Sequence, residues 1–246
     1  MSFKKFFLAI SAVIAIIAIS SAVILYINRS WVSVPGIPAP AEWREEFKAS
    51  PGGETALPDN WVLKTKPGTK SAIFTVKKHP ENSSYFLHME ADKASGSLVT
   101  QADAVDLRKT PYFRWRWKAG KLPEGADGRI KNRDDQAIGI YIGAGNPLSN
   151  KSISYRWDTD TPRGESGSAV YGLGAIKTKW YTLRNKEDVS NGAWITEERN
   201  VAEDFKNAWG FYPAKVYISV SCNSQYTGSS ASADLDWVEF RQAPVK

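Results

Sequence analysis

The stretch Tyr112-Phe-Arg-Trp-Arg-Trp-Lys118 gives the clearest indication of how this chain folds. Its aromatic and basic residues alternate, and successive side chains of a β-strand point to opposite faces of the sheet. The aromatic members therefore face one way and the basic members the other. We expect Trp115 and Trp117 to lie in the core, because aromatic side chains on one strand face usually fill the interior of a sandwich.

The same period of two recurs along most of the chain. Further strands are predicted at 72–76, 85–89, 138–142, 153–157, 180–183, 194–199, 216–222 and 235–240. Gly, Pro, Asn and Asp punctuate these segments, as in Gly145-Asn-Pro147. Nine or ten short strands without intervening helices predict an all-β fold: a jelly-roll-like antiparallel β-sandwich.

One or two short helices are expected to cover this sandwich. The first is predicted over Ala41–Lys48, where Trp43 and Phe47 would lie one turn apart. The second begins after Asn200, a good N-cap, and ends at Gly210. Glu203 occupies the capping-box position of this second helix.

The N-terminal sequence predicts a membrane anchor. Lys4 and Lys5 precede an apolar run from Phe6 to Ile27, and 22 helical residues at about 1.5 Å each span roughly 33 Å, enough to cross a bilayer core. A cleavable signal peptide is the alternative, with Ser20-Ser-Ala22 as its cleavage site. The flanking charges favour a cytoplasmic N-terminus, which predicts a single-pass protein of the bacterial inner membrane with its large domain in the periplasm or outside the cell.

The predicted organisation is thus an anchor at 1–29, a linker and short helix at 30–60 and the sandwich at 61–246. Removing Lys4, Lys5 and Arg29 from the 32 basic residues leaves 29 against 26 acidic ones. This dispersed, mild charge argues against nucleic acid as a partner. Cys222 is the sole cysteine, which excludes an intramolecular disulfide, and we expect it to be buried.

The aromatic content directs attention to sugars, whose apolar ring faces stack on aromatic side chains. Tyr155 and Trp157 are candidates for such a ligand-facing role, with a core role as the alternative. Asp134 and Asp135 form the densest acidic spot before a strand. Because neighbouring strand residues point to opposite faces, these two carboxylates are not expected to form one acid–base pair.

Charged residues of the 194–199 segment supply further candidates. Glu197 and Arg199 share one strand face and could bind hydroxyl groups through charge-assisted hydrogen bonds, or form a solvated pair. Asp234 and Asp236 also share a face, and their spacing allows calcium, although two carboxylates fall short of its usual six to eight ligands. No cofactor is otherwise expected, and we assign no catalytic residue.

Several motifs resemble those of an uncharacterised bacterial envelope family, domain of unknown function 3047. They are Trp115-Arg-Trp-Lys118, Leu122-Pro-Glu-Gly-Ala-Asp127, Asp134-Asp135, Tyr155-x-Trp157, Glu198-Arg-Asn-Val201 with Asp204, and Thr227-Gly228 leading to Asp236. The resemblance implies an exported β-sandwich and supplies no activity. It strengthens Asp134, Asp135, Glu198 and Arg199 as site candidates. Asn223-Ser-Gln225 stands where an acidic residue would be expected, which weakens a metal or acid role there.

Three hypotheses for function follow. The leading one is a non-catalytic module that binds a glycan or other envelope polymer. An enzyme acting on polysaccharide, a hydrolase or lyase, is the second, with Glu197 or Glu198 and Asp134 or Asp135 as paired carboxylates. The third is a structural envelope protein whose tryptophans all lie in the core.

Overall fold

The computed structural model describes residues 42–48, 57–146, 149–171, 174–189 and 192–245. The predicted anchor and most of the predicted linker lie outside these residues. Within the described part of the chain, no helix has the length and apolar character needed to span a membrane. The described residues between 42 and 244 belong to one compact unit.

Strands dominate this unit. They are β1 Trp43–Glu46, β2 Val62–Lys64, β3 Lys70–Ser71, β4 Ile73–Lys78, β5 Tyr85–Asp92, β6 Ala94–Ala102, β7 Tyr112–Lys121, β8 Gln136–Asn146, β9 Ser149–Trp157, β10 Ser166–Tyr171, β11 Ile176–Arg184, β12 Ile195–Asn200, β13 Val216–Asn223 and β14 Ser230–Arg241. The α-helix α1 spans Val201–Trp209, and short 3-10 helices occupy Lys131–Arg133 and Lys186–Asp188.

The strands form two sheets, so the predicted β-sandwich is confirmed. The six-stranded sheet has the order β12-β7-β14-β5-β4, with β1 also paired to β14. The eight-stranded sheet has the order β10-β11-β9-β8-β13-β6-β2, with β3 also paired to β6. Pairing is antiparallel except for β9 with β11 and β3 with β6.

The core between the sheets is built from aromatic side chains. Trp115 of β7 stacks on Tyr155 of β9, with ring centroids 5.0 Å apart and planes inclined by 16°. Trp117 meets Trp157 edge to face at 5.6 Å. These contacts join the two sheets, and such aromatic pairs each contribute about 0.5–1.5 kcal/mol beyond area burial. The prediction that Trp115 and Trp117 are core residues is confirmed, and Cys222 is buried as well.

The predicted helix over 41–48 is wrong. Trp43–Glu46 form strand β1, which pairs with Trp237–Phe240 of β14 in the stretch that β5 leaves uncovered. A spacing of four residues places Trp43 and Phe47 on one side of a strand as well as of a helix, so the spacing does not discriminate between the two. The sandwich therefore begins before residue 61.

The second predicted helix is confirmed as α1. The Asn200 side chain accepts a hydrogen bond from the backbone N–H of Glu203 at 3.1 Å. Gly210 ends the helix in the left-handed conformation with φ 84°. The Glu203 carboxylate accepts a hydrogen bond from the hydroxyl of Tyr212, at the far end of the helix.

Candidate functional site

Four adjacent strands of the eight-stranded sheet present an unusual outer surface. Their outward-pointing residues line up in three rows across β13, β8, β9 and β11. The rows are Tyr217–Gly143–Ser152–Thr178, Ser219–Tyr141–Ser154–Trp180 and Ser221–Gly139–Arg156–Thr182. These residues alternate with core residues such as Ile140, so they point away from the core. We call this set the polar face.

The polar face differs from an ordinary solvated sheet surface. Most of its members are serine, threonine or glycine, and Arg156 is its one charged member. Several polar side chains are buried although they point away from the core: Ser154 is 0% exposed, Arg156 1% and Ser221 2%. A solvated face would carry exposed polar and charged side chains. Small residues such as Gly143 instead lie beneath larger side chains such as Tyr217.

Glycines allow aromatic rings to lie against the sheet. A Cβ atom at Gly143 would stand 2.1 Å from a ring carbon of Tyr217, and one at Gly167 would stand 2.2 Å from the ring of Trp180. No real Cβ atom could occupy either position, so these rings require glycine in the neighbouring strand. The rings of Tyr217 and Trp180 are therefore held close to the backbone.

Three tyrosines remain partly accessible: Tyr141 and Tyr217 of the polar face, and Tyr171 of the adjacent strand β10, which we add to this set. The Tyr217 hydroxyl donates to the Asn150 side chain at 2.7 Å, and the Tyr141 hydroxyl accepts from the amide of Gln136 at 3.1 Å. Burial raises the pKa of all three phenols. They are thus neutral hydrogen-bonding groups with fixed orientations at physiological pH.

A buried ion-pair network fixes one end of the polar face. Arg156 donates from Nε to Asp158 at 2.9 Å, from Nη1 to Asp134 at 2.7 Å and from Nη2 to Gln136 at 3.4 Å. The hydroxyl of Tyr171 donates to the second oxygen of Asp134 at 2.8 Å. Burial opposes the charge of Arg156, but its carboxylate partners raise its pKa above the ordinary value.

The two predicted aromatic ligand residues do not lie on this surface. Tyr155 and Trp157 are 0% and 1% exposed and pack in the core against Trp115 and Trp117. The hypothesis that they face a ligand is therefore corrected. They share the parity of Ile153, which points inward, whereas the outward residue between them is Arg156.

Asp134 and Asp135 point to different partners, in keeping with their adjacent positions. Asp134 belongs to the network at the polar face. Asp135 is fully buried, and its Oδ2 accepts hydrogen bonds from the backbone and hydroxyl of Thr227 at 2.7 and 2.9 Å. The Oδ1 atom of Asp135 has no hydrogen-bond partner among the described residues. Asp135 therefore holds the loop that carries Thr227.

Glu197 and Arg199 of β12 were expected to bind a ligand together or to pair with each other, but each has a different partner. Glu197 accepts from Nε of Arg184 at 2.6 Å, which links β12 to β11 of the other sheet. Arg199 instead forms two hydrogen bonds with Asp204 of α1, at 2.7 and 3.0 Å. The prediction that Glu197 and Arg199 share a strand face is confirmed. Each side chain pairs with a different residue, however, so the two do not form the joint binding site of the hypothesis.

Glu198 lies in register with Arg114, on the outer side of the six-stranded sheet. The structure therefore places the carboxylates of β12 and those of 134–135 in different parts of the fold. The described side chains form no facing carboxylate pair from these residues of the kind that the hydrolase hypothesis needs.

Asp234 and Asp236 each pair with one histidine and with one lysine or arginine side chain. Asp234 contacts His88 and Lys118, and Asp236 contacts His79 at 2.9 Å and Arg116 at 2.7 Å. Within the described residues, no group of three or more histidine, cysteine, aspartate or glutamate side chains could hold a metal ion. The i, i+2 spacing of Asp234 and Asp236, which allowed calcium, places both carboxylates in a row of ion pairs on the sheet.

The key residues of the polar face were not among the sequence candidates. Tyr171, Trp180 and Tyr217 lie on it, as does Arg156. The available signal was the repetition of serine, threonine and glycine at the outward positions of neighbouring strands. That signal appears only after strand pairing is known, because each strand contributes only two such residues.

Family comparison draws on the stretch that builds both sheets. Residues 59–239 match the model of the family described as protein of unknown function, DUF3047. The chain belongs to this family. The resemblance expected from its motifs is thereby confirmed, and the match begins after β1 of this DUF3047 chain.

No curated protein matches the DUF3047 chain. Among solved structures, a Cel12A cellulase variant derived from Rhodothermus marinus is similar, with 12% identity, a TM-score of 0.45 and coverage of 74% of this chain and 92% of that one. The xyloglucanase domain of NopAA from Sinorhizobium fredii, in complex with cellobiose, shows 10% identity, a TM-score of 0.44 and coverage of 81% and 99%.

A family 11 carbohydrate-binding module of the cellulase Lic26A-Cel5E of Clostridium thermocellum shows 10% identity and a TM-score of 0.39, with coverage of 84% of this chain and 99% of that one. All three share a low identity with the DUF3047 chain. The function must therefore be argued from this chain's own residues.

Proposed function

We propose that this DUF3047 chain is a glycan-binding module that holds an extended polysaccharide across the polar face. It is tethered to the bacterial envelope by its N-terminal segment, with the sandwich on the far side of the inner membrane. The observation that carries the proposal is the polar face itself, a set of small serine, threonine and glycine residues together with the partly accessible rings of Tyr141, Tyr171 and Tyr217.

The chemistry of this surface suits sugars. A sugar ring presents an apolar face that packs on an aromatic ring and hydroxyl groups that both donate and accept. Tyr217 offers a ring held against Gly143, and its hydroxyl is tethered to Asn150. A preorganised ring loses little conformational entropy on binding, which favours affinity.

The opposite outer surface is less suited to this role. On the six-stranded sheet, the outward carboxylates of β14 already hold cations: Glu239 contacts Arg44, Arg114 and Arg241. Binding a neutral sugar there would disturb these pairs. The polar face, in contrast, presents the neutral phenol groups of its partly accessible tyrosines.

The test is a glycan array probed with the full chain and its Tyr217→Ala variant. We expect wild-type binding to at least one extended glycan and about tenfold weaker binding by the variant, which corresponds to about 1.4 kcal/mol. Tyr212→Ala is the matched control, because Tyr212 is an exposed tyrosine beyond helix α1 and should leave binding unchanged. Equal binding by all three proteins, with melting temperatures preserved, would contradict the site assignment.

A further inference from the structure

A pocket adjoins the polar face at the loop before β8. It has a volume of about 330 Å³ and is lined by Glu124, Gly125, Asn132, Arg133, Tyr226 and Thr227. Arg133 precedes Asp134, which contacts Arg156 of the polar face. Gln136, at the start of β8, is in register with Asn223, just before the loop that carries Tyr226. The pocket therefore continues the proposed glycan surface.

The walls of this pocket are held from behind. Buried Asp135 binds both the backbone N–H and the hydroxyl of Thr227. The Thr227 hydroxyl is 2.7 Å from that of Ser229, whose side chain accepts from the backbone N–H of Glu124 at 3.1 Å. The backbone N–H groups of Asp127 and Asp135 both donate to the carbonyl of Arg133. These bonds connect the two loops and fix the pocket before any ligand arrives.

Arg133 and Tyr226 line this pocket, and Lys66 lies beside the ring of Tyr226. Arg133 is exposed and forms no ion pair within the described residues. Arg129 lowers the pKa of Asp127 through a hydrogen bond, and the positive charge of Arg133 lowers it further. Tyr226 is 42% exposed, and the ammonium of Lys66 lies 4.9 Å from its ring centroid. Glu124 is the acidic residue among those that line the pocket.

We infer that this pocket binds an acidic sugar, a residue whose ring carries a carboxylate, within the glycan held on the polar face. The inference rests on the proposed function and names the class of its ligand. Tyr226 stacks on the sugar ring, and Arg133 binds the carboxylate through two N–H groups of its planar fork. Asn132 and Thr227 serve the hydroxyl groups. Lys66 adds positive potential beside the ring.

The test uses two probes that differ only at the carboxylate: a tetramer of β-1,4-linked glucuronic acid and cellotetraose. Their affinities for the full chain are measured by calorimetry at low and at high salt. We expect the acidic probe to bind about tenfold more tightly at low salt. This preference should shrink at high salt, because exposed charges are screened.

Variants separate the pocket from the polar face. Arg133→Gln should abolish the preference and leave the affinity for cellotetraose within about twofold. Arg108→Gln is the matched control, since it removes the same charge from an exposed arginine that pairs with Asp106. Tyr217→Ala should weaken both probes by a similar factor. Inorganic phosphate should compete poorly with the acidic probe if the sugar ring contributes to binding.

Three results would overturn the inference and can be told apart. Equal affinity for both probes, unchanged in Arg133→Gln but reduced in Tyr217→Ala, would refute the acidic-sugar pocket and leave the glycan-binding proposal standing. Absence of binding to both probes and to the glycan array would refute both. A preference that Arg108→Gln abolishes as strongly as Arg133→Gln would assign it to overall charge and also refute the pocket.

Discussion

Individual side chains of this fold are sorted by strand parity. Along β9, Tyr155 and Trp157 point inward and form the aromatic core, while Arg156 between them points outward and organises the polar face. The inward and the outward side chains of this segment are all buried, so burial alone does not distinguish core residues from residues of the polar face. The distinction lies in the partners: aromatic rings on one side, and carboxylates and hydroxyl groups on the other.

The core role of Trp157 makes a direct prediction. Trp157→Ala should lower the free energy of unfolding by about 3–5 kcal/mol, because it removes a fully buried ring and its contact with Trp117. Urea denaturation measures this loss. Trp237→Ala, which removes a half-buried tryptophan from the outer side of the six-stranded sheet, should cost clearly less. Equal costs would contradict the described packing.

His88 makes the stability depend on pH. Its hydrogen bond to Asp234 raises its pKa above the ordinary value of 6.5, and the bond to Glu90 adds to this effect. Since the folded state holds this proton more tightly than the unfolded state, the stabilisation is present below about pH 6.5 and is lost as the pH rises through the raised pKa.

The corresponding measurement is the melting temperature of wild type and His88→Gln across this range. The variant should melt lower than wild type near pH 6, and the difference should narrow towards about pH 9. A difference that stays constant, or grows with pH, would show that the proton on His88 does not stabilise the folded state.

Among the elements, the helix and the strands differ in how far the sequence predicts them. Helix α1 carries its own signals, an N-cap at Asn200 and a terminating Gly210, and both act as predicted. The sequence does not predict strand β1, because the four-residue spacing of Trp43 and Phe47 fits a helix and a strand alike. Its pairing with β14 is a contact between residues far apart in the sequence. Strand β6, Ala94–Ala102, is rich in small residues and lacks the aromatic alternation that marks β7.

The cap of α1 is testable by itself. Asn200→Ala should lower the free energy of unfolding by about 1 kcal/mol, because the backbone N–H of Glu203 loses its side-chain acceptor. Asn200→Asp should retain most of this stability, since aspartate is an equally good N-cap. Chemical denaturation of the three proteins measures the effect. Loss of stability in both variants alike would contradict a capping role.

At the scale of the whole molecule, the sequence predicts architecture better than site. Period-two alternation is local, and it predicts the two-sheet sandwich. The polar face arises from residues on β8, β9, β11 and β13, which meet only through strand pairing, so Tyr217 and Gly143 cannot be linked before the register is known. The family motifs did point to Asp134, Asp135 and Thr227, which lie together at the end of this face.

The two outer surfaces of the sandwich therefore have different characters. One is a ladder of ion pairs centred on Glu239, Asp236 and Asp234. The other is a neutral surface of small hydroxyl-bearing residues and tyrosines that leads to a pocket with Arg133. This asymmetry predicts which side of the molecule a polysaccharide contacts.

The most direct test is NMR mapping of backbone amides during titration of the full chain with the tightest-binding glycan from the array. We expect shift changes concentrated on the outward residues of β8, β9, β11 and β13, with Tyr217 and Gly143 among them. Changes concentrated instead on the outer side of the six-stranded sheet, around Arg114 and Glu239, would contradict this expectation.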